Sequence, residues 1–117
     1  MKFITMVTSA AGSRDGVPPP AFLQALGAFG KSAAEAGVLV EQAGLRSIDD
    51  GGFITLADGE LNFIDGPYTE AKELVGGYAV FDVPSKEDAV SWGRRFMELH
   101  QQHWNGWEGH LEIRQIV

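Results

Sequence analysis

Gly76-Gly77-Tyr78-Ala79-Val80-Phe81-Asp82-Val83-Pro84-Ser85-Lys86-Glu87-Asp88-Ala89 decides the fold, because it carries a buried strand directly into a capped helix. Tyr78 to Val83 is largely apolar, as a central strand must be, and Pro84 ends it by withdrawing a backbone donor. Ser85 is a good N-cap, with Asp88 three residues on in a variant of the capping box. Ala89, Gly93, Phe96, Met97 and His100 then trace one stripe at helical spacing.

The first third of the chain repeats this arrangement. Residues 2 to 8 are apolar and β-rich, and Ser9 to Val17 reads as a loop. Pro18-Pro19-Pro20 precedes Phe22, Leu26, Phe29, Gly30 and Ala33, spaced by threes and fours, and Gly37 supplies the stop. Val38-Leu39-Val40 is the heart of a second strand, and Leu111 to Val117 alternates as a last strand does. Gly44 to Gly52 is irregular. Beyond it, Phe53 to Leu56 and Leu61 to Ile64 flank Asp58-Gly59, which favours the positive φ of a tight hairpin turn.

The order is therefore β-α-β, a hairpin insertion, then β-α-β. It predicts one domain over residues 1–117 with a ferredoxin-like α+β fold, its helices on one face of an antiparallel sheet. One chain leaves the opposite face uncovered, so a homodimer is the expected way to bury it.

At 117 residues the chain is large enough for one core and too small for two. Sixteen acids against nine bases give a net charge of −7, which opposes binding to nucleic acid or to anionic membrane surfaces. With no cysteine, disulfides, thiolate nucleophiles and Cys-ligated zinc are excluded. The N-terminus has no signal-peptide pattern and no apolar run is long enough to span a bilayer, so a cytoplasmic protein is expected.

Chemistry concentrates in Asp65-Gly66-Pro67-Tyr68-Thr69-Glu70-Ala71-Lys72-Glu73. Gly66 and Pro67 make a corner, and Asp65 either caps it through backbone amides or projects as a general base or ligand acceptor. Thr69 to Glu73 fits one helical turn of paired charges, with Lys72 as a candidate for an anionic ligand and Glu73 beside it. His100 and His103 share a helical face at i and i+3, a spacing compatible with metal, yet Gln101 and Gln102 supply no carboxylate between them. His100 also continues the apolar stripe, and in a cleft its near-neutral titration would suit a general acid or base. Trp104, Trp107 and Phe96 either fill a core or dimer contact, the default, or line a pocket. Arg114 either pairs with an acid such as Glu112 across a neighbouring strand, the default, or binds a ligand carboxylate. No Gly-rich phosphate motif occurs, and no cofactor is expected.

Asp65 to Glu73, followed by Leu74-Val75-Gly76-Gly77-Tyr78, resembles the signature of the DGPF-domain or YCII-related family, approximately D-G-P-F-A-E-T-K-E before a Gly-aromatic strand. Gly37 to Val40, Ser85 to Ala89 and Glu112 to Gln115 look like the same family. The resemblance implies a dimeric α+β barrel, two ferredoxin-like sheets facing each other, and carries no settled activity. Tyr68 stands in place of the usual Phe, while Thr69 and Ala71 exchange the usual Ala and Thr. The first helix lacks the His that shorter members are thought to pair with an Asp, so that dyad does not transfer.

Three functions follow as expectations. The first is an enzyme using Asp65 and His100 for proton transfer, with Tyr68, Lys72, Glu73 and Arg114 placing a small molecule. The second is a module in which the same residues bind without catalysis. The third is a metal or haem protein built on His100 and His103.

Overall fold

In the computed structural model the described residues are 1–10, 17–46, 50–65 and 73–117, the side chains of Glu73 and Leu74 excepted. Strand β1 (Lys2–Ala10) is followed by helix α1 (Pro20–Glu35), strands β2 (Leu39–Gly44), β3 (Gly52–Ala57), β4 (Glu60–Asp65) and β5 (Glu73–Asp82), helix α2 (Lys86–His103) and strand β6 (Gly109–Gln115). Four strands form an open sheet in the order β2-β5-β1-β6, with every neighbouring pair antiparallel. This is the ferredoxin-like α+β arrangement, and β3-β4 forms a separate two-stranded ribbon inserted into it.

Local chemistry sets the boundaries. Pro20 opens α1, where a missing backbone N–H costs nothing, and Gly37 leaves it at φ 75°. The Ser85 hydroxyl caps α2 by accepting from the Asp88 amide at 3.2 Å and donates to the Asp88 carboxylate at 2.9 Å. Asp58 and Gly59 both take positive φ at the hairpin tip, as a two-residue turn requires.

Strand β5 differs from the sequence reading. It does not begin after Gly76-Gly77 but runs through them from Glu73, so Glu73 belongs to a strand and not to a helical turn. The pairing with β1 shifts between Val7 and Thr8, leaving Gly76 as the extra residue of a bulge. A side chain at Gly77 would stand 3.0 Å from the Ala43 carbonyl oxygen, so glycine is what admits β2 alongside. The two glycines are a bend inside the strand, not its start.

The core sits between the helices and one end of the sheet, where Phe3, Phe29, Ala33, Phe81, Val83 and Ala89 are buried together. Phe3 lies opposite Phe81 across β1 and β5, and Trp92 stacks on Phe81 at 6.1 Å between ring centroids. The far face of the sheet carries Ile4, Met6, Tyr78 and Val80, each half-buried, and among the described residues neither helix packs on that side. No helix among the described residues is long and apolar enough to cross a membrane.

Candidate functional site

Along the helix-facing side of the sheet the side chains shrink from one end to the other. On β5 the inward positions run Phe81, Ala79, Gly77, and on β2 they run Leu39, Gln42, Gly44. The wide end of this taper is filled with aromatic packing, and the narrow end is not. What remains is a cavity of about 640 Å³. Phe22, Leu26 and Phe29 of α1 form its roof, Thr5, Val7 and Ala79 its floor, and Phe96, His100, Trp104 and Trp107 its end wall.

His100 is the polar centre of that wall. It is 4% exposed, and its ring lies 4.1 Å from Trp107, 4.6 Å from Phe22 and 4.9 Å from Phe96, centroid to centroid. Nδ1 stands 3.2 Å from the Phe96 carbonyl oxygen, which can only accept, so Nδ1 carries the proton of the neutral ring. Burial among rings holds the imidazolium form down and lowers the pKa below its usual 6.5, with the Phe96 bond partly opposing this. Nε2 is then a bare acceptor. Among the described residues it has no hydrogen-bond partner, and no buried polar side-chain atom there is left unpartnered, so Nε2 is accessible from the cavity.

Two other polar groups border the space. Thr5 Oγ1 donates to the Ala79 carbonyl oxygen at 3.3 Å and is buried in the floor. Gln42 reaches inward over Gly30 of α1, where a Cβ would come within 2.7 Å of its Nε2. Three polar side chains in a largely aromatic and aliphatic enclosure is the composition of a small-molecule site.

The residues singled out from the sequence do not converge here. Asp65 is the last residue of β4, exposed, paired with Gly52, and absent from the cavity lining that contains His100. Tyr68 and Lys72 lie outside the described residues, as do the Gly66-Pro67 corner and the expected helical turn up to Lys72. Glu73 opens β5 opposite Ala10. Arg114 pairs with Glu112 at 3.8 Å, on its own strand rather than a neighbouring one, and both are exposed. His100 and His103 belong to no cluster of three or more metal-binding side chains among the described residues. Trp104, Trp107 and Phe96, expected first as packing, are both packing and pocket wall.

A family model described as the YCII-related domain matches residues 1–104. The chain belongs to that family. The match leaves out β6, so the likeness at Glu112 to Gln115 lies beyond it. No curated protein matches the chain. Within this YCII-related domain, sequence reasoning missed Thr5, Gln42 and Phe22, because nothing in a threonine or glutamine on a strand marks it as inward-facing beside a void. The inward series Phe81, Ala79, Gly77 was a readable signal, since alternate residues of decreasing size along a buried strand leave room on one face.

Proposed function

We propose that this YCII-related domain binds a small, largely apolar molecule in the cavity between α1, α2 and the sheet, and works as a homodimer. The observation that carries the binding reading is His100: an unprotonated, accessible Nε2 set in an aromatic wall at the end of a cavity of about 640 Å³. Space of that size falls within the range of small-molecule sites, roughly 300–1,000 Å³. The fitting ligand has a flat or aliphatic body for Phe22, Phe96 and Trp107, and a hydroxyl or N–H group to donate to His100. The dimer reading is supported by the half-buried Ile4, Met6, Tyr78 and Val80 on the far face of the sheet.

An enzymatic version has one observation in its favour, since the same Nε2 is a neutral proton acceptor at pH 7. Asp65, the other expected proton carrier, stands on the β3-β4 ribbon and does not border this cavity. Binding is therefore the better supported reading, with turnover as an added property to be measured.

The test is native mass spectrometry of freshly purified protein, followed by titration with phenols and aromatic alcohols while tryptophan emission is recorded. Saturable quenching is expected, and Val7→Phe, which fills the space above Gly77, is expected to abolish it while leaving the dimer intact. Unsaturable quenching that Val7→Phe does not alter would sink the binding reading. A monomer at micromolar concentration would sink the dimer reading separately.

A further inference from the structure

The β3-β4 ribbon has two unequal faces. Register places Phe53 opposite Ile64 and Thr55 opposite Asn62 on one side, and Ile54 opposite Phe63 and Leu56 opposite Leu61 on the other. Phe53, Thr55 and Ile64 are half-buried. The second face is bare: Ile54 is 74% exposed, Leu56 70%, Leu61 71% and Phe63 63%. An isolated two-stranded ribbon is marginal in water, and this one leaves four of its six large aliphatic and aromatic side chains exposed. Phe63 is even shaped into place, its ring lying where a side chain at Gly52 would be.

We infer that a second copy of this chain covers that face, so that each subunit of the homodimer lays its ribbon as an arm on the other. The inference rests on the homodimer reading above. Two observations favour a second copy over an unrelated partner. The chain is extended for its length, with a radius of gyration of 15.9 Å where about 13 Å is usual for a compact domain of this size. The same chain supplies a matching surface, the apolar strip Ile4, Met6, Tyr78 and Val80 on the far face of its sheet.

Area agrees. Four such side chains make a patch on the order of 500 Å², at the upper end of what a monomer leaves bare. Two arms with the two surfaces they cover remove roughly 2,000 Å², the size of a stable specific interface. The contact is self-complementary under a twofold axis, arm to sheet and sheet to arm, so it closes at two copies. Asp65 faces the same side of the ribbon as Phe63, and the arm therefore brings it to the subunit contact.

The experiment places the photo-crosslinking residue p-benzoylphenylalanine at Phe63, in a mixture of isotopically heavy and light chains, with dimerisation followed in parallel by light scattering. Crosslinks between heavy and light chains, ending on β1 or β5 peptides, are expected. Ile54→Asp with Leu61→Asp is expected to weaken dimerisation at least a hundredfold. A dimer whose crosslinks fall only within one chain, or which tolerates the double substitution, overturns the arm and leaves the homodimer standing. A monomer in light scattering overturns both. Should the double variant fail to fold, the crosslinking result on the otherwise unaltered chain decides alone.

Discussion

The Nδ1–H of His100 donates to the carbonyl oxygen of Phe96, one turn earlier in α2, at 3.2 Å. That single bond fixes the tautomer and turns Nε2 toward the cavity. It also has a consequence for stability. The groups packed on the ring are Phe22, Phe96, Trp104 and Trp107, none of them charged, so His100 resists protonation in the folded state. Below the unfolded value of 6.5 the unfolded chain takes up a proton that the folded chain does not, and stability falls by at most about 1.4 kcal/mol per pH unit until the folded pKa is reached. Above 6.5 this contribution is fully present. Urea unfolding between pH 5 and 8 is expected to show this slope, and His100→Phe to remove its share; parallel pH profiles for the two proteins would mean that His100 titrates as in the unfolded chain.

The taper of the sheet makes a second prediction. Phe3 is 3% exposed in the buried core cluster and is not among the residues lining the cavity, whereas Phe22 borders it. Phe3→Ala loses contacts on every side and is expected to cost about 3–5 kcal/mol. Phe22→Ala loses them on one side only, since the other already faces open space, and is expected to cost roughly half as much. Equal costs in denaturant titrations would mean that the narrow end of the taper is as tightly packed in solution as the wide end.

The cap of α2 holds the segment that carries His100. Ser85→Ala removes an acceptor for the Asp88 amide and is expected to cost about 1 kcal/mol in urea unfolding. Ser85→Asp keeps an acceptor but sets a carboxylate against that of Asp88, to which the native hydroxyl donates, so it is expected to recover only part of the loss. Full recovery would show that the Ser85 to Asp88 side-chain bond contributes nothing.

These results divide along a physical line that the sequence already drew. Strand and helix identities were legible because they depend on local pattern: the Ser85 cap, the Pro20 start, the Asp58-Gly59 turn and the helical stripes ending at Ala33 and His100. The start of β5 was misread because glycines inside a strand carry the same letters as glycines before one, and only the bulge opposite Val7 and Thr8 tells them apart. The cavity was not legible because it depends on which side of each strand faces the helices, a matter of register between β2, β5 and β1. His100, singled out for its titration, borders the cavity; Asp65, singled out from the richest motif, stands on the ribbon.

On the far face of the sheet the Tyr78 hydroxyl donates to the Glu41 carboxylate, a bond between β5 and β2. This bond, then burial, then the negative charge of Glu41 raise the phenol's pKa above its ordinary 10.0. The chain has two tyrosines, so Tyr68→Phe leaves Tyr78 as the single phenol to follow by its phenolate absorbance. The midpoint is expected above 10.0, and Glu41→Gln is expected to lower it by removing both a charge and the stronger acceptor. The same titration reports on the homodimer, because a subunit laid over this face withdraws the hydroxyl from water and raises the midpoint further. Dilution below the dimerisation constant is then expected to lower it. A midpoint that shifts with Glu41→Gln but not with dilution would leave the hydrogen bond in place and remove Tyr78 from the subunit contact.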